Sequence, residues 1–128
     1  MSTIKTETLS TPSNATVPVD TVVNGTAKAW VNFNGSGTVA IRRAFNVSSI
    51  TDNETGDFTL NFTNALIDTN YSLVGVSSGI VGVSYPSIVG PSASTLFTTT
   101  TARVQVAGSN GDITGNRDPS IVCVSIFS

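Results

Sequence analysis

Eight carboxylates and one cysteine, with no histidine, are the groups from which any catalysis in this chain would have to be built. Without histidine the commonest general base and the commonest transition-metal ligand are both missing, so Ser-His-Asp and Cys-His arrangements are excluded within the chain. A zinc site lacks its usual ligands for the same reason. No phosphate-cradling glycine motif of the Walker or dinucleotide type is present. The remaining enzymatic option is a glycosidase-like pair drawn from Glu7, Asp20, Asp52, Glu54, Asp57, Asp68, Asp112 and Asp118. Nearly all of these sit beside Gly, Asn or Thr in turn-like segments, where carboxylates cap backbone groups and keep the surface hydrated. The expectation is a protein without catalytic residues.

Two acidic turns have the oxygen ligands a hard cation prefers: Asp52-Asn53-Glu54 with Asp57, and Asp112 with Asn116 and Asp118. Neither has the spacing of an EF-hand loop, and turn chemistry accounts for both, so no metal and no cofactor are expected. Cys123 has no partner for an internal disulfide and lies in the apolar run IVCVSIF, where it reads as a small buried hydrophobe. Seven Asn-X-Ser/Thr matches follow from the abundance of Asn, Ser and Thr and carry no weight without a secretory signal.

Ligand binding is the other chemistry to consider. On a polar surface an isolated ring is a platform for a sugar. Trp30 falls opposite Ala29, Val31 and Phe33 on its strand, where it covers an interface, packs under a second layer, or stacks on a ligand. Tyr85 precedes Pro86 in a glycine-broken region. Asn110, Asp112, Asn116 and Arg117 populate a long polar loop. These six residues are the binding candidates.

Such residues need a scaffold, and the hydrophobic period that would build it is two. Ala29, Val31 and Phe33 alternate with polar neighbours, and Asn34-Gly35-Ser36-Gly37 supplies a hairpin loop. Val39, Ile41, Phe45 and Val47 continue the inward face, and Asp52 to Gly56 is a second turn with Gly56 at its left-handed position. Phe58, Leu60 and Phe62 form the cleanest alternation, and Val104 and Val106 resume it. No window shows a capped amphipathic helix. The adjacent Arg42 and Arg43 are expected to straddle a strand end, one on each face.

Closely spaced strand signals define an all-β fold, an antiparallel β-sandwich of jelly-roll-like kind over residues 26–128. Residues 1–25, threonine-rich and broken by Pro12, Pro18 and Asn24-Gly25, read as an extended N-terminal arm with room for a short strand, packing along a neighbour or pointing towards an attachment partner, with plain terminal disorder as the alternative. The last strand, Ile121 to Phe127, barely alternates, so both faces should be covered. A loop over the second face and a nearby subunit interface are the two readings.

Charged residues are 11% of the chain, against about 25% in average usage, and the net charge is −2 with scattered cations. This argues against nucleic acid as a partner. No stretch is long and apolar enough to span a bilayer, and the N-terminus lacks the apolar core of a signal peptide. The expectation is synthesis in a cytoplasm without a secretory address, yet with a composition suited to life outside cells.

The run from Ala27 to Ser72 carries a resemblance. Its opening AKAWVNFNGSGTVAIR, the hairpin FNVSSITDNETGDFTLNF and the tail FTNALIDTNYSLVG are similar to small structural proteins of tailed bacteriophages, marine ones especially, as is the N-terminal STIKTETL. Residues 79–128 match no such pattern and are the expected place for variable, recognition-bearing loops. The resemblance implies a virion protein of tail-fibre or receptor-binding type, made in the host cytoplasm and released by lysis. It further implies a homotrimer, with other virion proteins and a host-surface glycan as partners. A stand-alone lectin-like carbohydrate-binding module and a capsid decoration or head–tail connector protein are the alternatives. The resemblance marks a scaffold and transfers no functional residue.

Overall fold

A computed structural model of the chain describes residues 2–78, 87–92, 97–108 and 115–128. Its elements in order are β1 (Thr8–Ser10), β2 (Thr16–Pro18), α1 (Val19–Gly25), β3 (Ala29–Asn34), β4 (Ala40–Phe45), β5 (Val47–Glu54), β6 (Asp57–Phe62), β7 (Ser72–Ser78), β8 (Ser87–Pro91), β9 (Thr101–Gly108) and β10 (Ile121–Phe127). Strands β3 to β10 form one antiparallel sheet in the order β4-β3-β10-β7-β8-β9-β6-β5. β10 returns beside β7 after the β7-β8-β9 meander, which is a Greek key.

The sheet curls until it is nearly a barrel. Phe33 on β3 and Phe58 on β6, far apart in strand order, meet edge to face with centroids 5.2 Å apart. Both are fully buried, with Ala29, Val31, Leu60, Ala102, Val104, Val106, Val122, Val124 and Ile126 in the same core. The alternation read from the sequence produces this interior: on a pleated strand every second side chain shares a face, and here that face is apolar on β3, β6, β9 and β10. The all-β antiparallel expectation therefore stands.

The two edge strands are joined by a single residue. Asn46, at φ 55°, turns the chain from the end of β4 into the start of β5. Its side chain holds the corner: Nδ2 donates to the carbonyls of Lys28 and Asn64, each at 3.1 Å, and Oδ1 accepts from the Asn64 amide at 2.8 Å. Asparagine suits the position because it tolerates the left-handed region better than other side chains.

Several expectations change. Phe45, expected inward, is 54% exposed. The β3–β4 register pairs Phe33 with Ile41 but Asn32 with Arg43, so Arg42 is the extra residue of a bulge. One added residue flips the faces beyond it, turning Ala44 inward and Phe45 out. The same bulge places Arg42 and Arg43 mid-strand and exposed, with Arg42 donating to the Ser120 carbonyl at 2.5 Å. β10 does alternate in burial: Val122, Val124 and Ile126 are buried, whereas Ile121 is 42% exposed and Cys123 and Ser125 are half-buried. One face of β10 is thus core and the other is only partly covered.

Residues 2–25 carry a small β1–β2 hairpin, closed at Asn14 with φ 64°, and the seven-residue α1. α1 buries none of its residues and has no side-chain cap; Val19, Val22 and Val23 do share one face, but seven residues are too few for a helical period to stand out in the sequence. The Lys28 ammonium donates to the carbonyls of Val23 and Thr26 at its C-terminal end.

Candidate functional site

Antiparallel pairing sorts the connections into two ends of the barrel. One end carries the Asn46 corner, the β6–β7 and β8–β9 connections and the end of β10. The other carries the β3–β4 and β5–β6 turns, and there β7 and β9 end while β8 and β10 begin.

Asn116 and Arg117 lie at this second end. Asn116 bridges to Ala107, and the Arg117 amide donates to the Val106 carbonyl at 3.0 Å. The adjacent Asp118 accepts from the Gly56 amide at 2.5 Å. Gly56 has φ 64°, and a Cβ there would stand 2.4 Å from the Arg117 nitrogen. The sequence-predicted turn glycine therefore has two reasons to be glycine: its backbone angle and the chain passing over it. Gly35 is comparably enclosed, its amide donating to the Pro119 carbonyl at 3.0 Å. The Asp118 carboxylate and the Pro119 carbonyl therefore fix residues 116–119 onto both turns, while the Asn116 and Arg117 side chains are exposed.

Trp30 is at the opposite end. Its register partners are Phe45 on β4 and Ser125 on β10, so the two aromatic residues are neighbours on the outer face. Sequence reasoning placed Trp30 outward correctly and missed Phe45, because nothing local announces the bulge. Trp30 is thus not brought together with Asn116 and Arg117. Tyr85, Asn110 and Asp112 lie outside the described residues. Near Trp30's end, two shallow clefts of about 260 and 180 Å³ are lined by Lys28 and Asn46, with Phe45, Thr63 and Asn64 in one and Ala65, Leu66, Ile67 and Ser128 in the other. Asn46 spends its amide on the corner, so the polar lining of these clefts is largely structural.

The carboxylate cluster resolves into a buried clamp. Asp57 is 3% exposed on the outer side of β6. Arg103 on β9 grips it through Nε to Oδ1 at 2.7 Å and Nη2 to Oδ2 at 2.9 Å. Gln105 donates to Oδ2 at 3.3 Å, and Asn53 to Oδ1 at 3.2 Å while also reaching the Thr59 hydroxyl at 2.9 Å. Hydrogen bonding from Arg103 above all holds the Asp57 carboxyl below the usual carboxylate range, against the opposing pull of burial. The same bond raises Arg103 further. An acid so fully engaged is a structural anion rather than a proton carrier. Among the described residues no group of three or more His, Cys, Asp or Glu side chains comes together around a metal position.

Tyr71 is likewise structural. It stacks on Phe97 with centroids 4.6 Å apart and meets Phe62 edge-on. Its hydroxyl stands 3.1 and 3.2 Å from the carbonyl oxygens of Thr101 and Thr98, and burial pushes the phenol up to about 12.

No protein-family model, curated protein or solved structure matches the chain.

Proposed function

We propose that this chain is a non-enzymatic structural protein of a tailed-bacteriophage virion, of the tail-fibre or receptor-binding type, contributing to host-surface attachment as a homo-oligomer. The observation that carries the reading is the Ala27–Ser72 block, which resembles such proteins and supplies β3 to β6 and both turns against which residues 116–119 are fixed. Two facts support a scaffold role for it. Its buried acid, Asp57, is committed to holding two strands together, and three of its aromatic residues, Phe33, Phe58 and Phe62, are core. In this reading the exposed outer-face residues and the loops of the second half meet partners: other virion proteins and a host-surface glycan.

Antibodies raised against the purified chain test the assignment on intact particles by immunoelectron microscopy. Labelling at the tail or fibre is the expected result. Labelling of the head would replace the reading with a decoration or connector protein, and unlabelled, protein-free particles would remove it.

A stand-alone carbohydrate-binding module is favoured by one specific observation, the outward Trp30–Phe45 pair. A glycan array with the native chain and Trp30→Ala discriminates: specific binding lost in the variant supports the lectin reading.

A further inference from the structure

The outer face of the sheet is uneven. β7 (SLVGVSS), β8 (SIVGP) and β10 (IVCVSIF) are adjacent in the order β10-β7-β8 and contain no charged residue. Their register sets Val76 beside Ile88 on one side and Cys123 on the other, with Val74 opposite Ser125. Val74, Val76 and Ile88 are 54, 67 and 63% exposed. A sheet face meant for water alternates polar side chains outward, and here three of the exposed positions on β7 and β8 are branched aliphatics.

The face also has relief. Val74, Val76 and Ile88 form a ridge along β7 and β8. Beside it Cys123 and Ser125 on β10 floor a shallow trough of about 190 Å³ walled by Val74 and Val76. Toward β3 and β4 the apolar surface continues into Trp30 and Phe45. With about 4.8 Å between strands and about 3.3 Å per residue, the uncharged face over β10, β7 and β8 measures roughly 300 Å² in plan, and the exposed Arg42 and Arg43 bound it on the β4 side. An apolar patch of that size that is continuous rather than scattered is often a functional surface.

We propose that this face is covered by the same face of a second copy of this chain, the ridge of one seated in the trough of the other. Two properties select a second copy over a foreign partner. A charged face would repel itself, and across β10, β7 and β8 there is no charge to do so. Ridge and trough lie side by side along the strands, so a two-fold axis running over the β7–β10 seam sets each ridge above the opposite trough. A ring in which every ridge enters the next copy's trough satisfies the same fit. The inference gives the self-assembly part of the proposed function a surface, and it is independent of the virion part: a monomer would overturn it without bearing on where antibodies label particles.

The test is the mass in solution of the full chain by light scattering at about 50 µM, where a micromolar contact is mostly formed. Expected is a dimer or trimer of the 13.2 kDa chain that becomes monomeric in Val76→Lys, with the far-ultraviolet circular dichroism unchanged because Val76 is outside the core. Thr51→Lys, exposed on the outer side of β5, should leave the assembly intact. As a second readout, alkylation of Cys123 in the native chain should run at least tenfold faster when the chain is diluted below its association midpoint than well above it. A native monomer overturns the proposal. An assembly that survives Val76→Lys, or whose formation leaves the Cys123 rate of the native chain unchanged, overturns it as well, since the copies then meet elsewhere.

Discussion

The two halves of the barrel's outer surface solve the same problem in opposite ways. Over β5, β6 and β9 the outward side chains bond to one another: Asn61 donates to the Ser49 and Thr51 hydroxyls at 3.1 and 3.0 Å, Asn53 links Thr59 to Asp57, and Arg103 closes the array. Over β10, β7 and β8 the outward side chains are apolar or small, and none is charged. Both halves cover one core, so packing inside does not explain the difference. A surface that remains in water profits from polar groups that exchange partners with solvent at little cost. A surface that will be dehydrated profits from groups with no hydration to lose. Under the proposed pairing, the contrast separates the side of this barrel that one chain completes from the side that a second copy covers.

The strongest way to break both halves together is to hollow their shared core. Phe58→Ala should destabilise by about 3–5 kcal/mol, seen as a large fall in the urea midpoint, because Phe58 contacts Phe33 across the barrel. Asp57→Ala strikes only the polar half and should cost about 2 kcal/mol, since Arg103, Gln105 and Asn53 all lose an acceptor. If the loss were as large as for Phe58, the clamp would be part of the core rather than its polar cover.

A pH titration sharpens the same point. The folded-state pKa of Asp57 is depressed, so its contribution to stability is present above the unfolded value of about 3.9 and is lost as pH falls through the lower folded value. Thermal melts should therefore weaken on the acid side below about pH 4, and Asp57→Asn should flatten that limb. The smallest effects come from exchanging character at the surface. Asn61→Ala should cost about 0.5–1 kcal/mol, whereas Val76→Thr should stay within about 0.5 kcal/mol in the separated chain. Equal and substantial losses from both would erase the distinction between the halves.

Much of this architecture was legible locally. Alternation at Val31-Phe33, Phe58-Leu60-Phe62 and Val104-Val106 marked the interior, because a strand's two-residue period is written directly in its side chains. Gly56 could be read from turn chemistry, although the crossing chain at Arg117 that also requires a glycine could not. Phe45 was misread because a bulge is set by pairing with Asn32 and Phe33, which the sequence of β4 does not contain. The Asp57–Arg103 clamp joins strands distant in sequence and left no local signal beyond an acid following a turn glycine. β10 looked two-sided because its outward residues are uncharged, and the structure gives that uniformity a location, opposite the exposed valines of β7. Of the candidate site, Trp30's outward placement was readable, whereas its separation from Asn116 and Arg117 depends on which end each connection occupies.

The position of β10 has a kinetic consequence. It is inserted between β3 and β7, pairing Cys123 with Asn32 on one side and Val76 on the other, so both central ladders close only when distant parts of the chain find each other. The entropic cost of those loops comes before the contacts that reward it. Refolding should therefore be slow for a chain of this size, on the order of milliseconds to seconds, and until β10 arrives the apolar edges of β3 and β7 stand open to strands of other molecules.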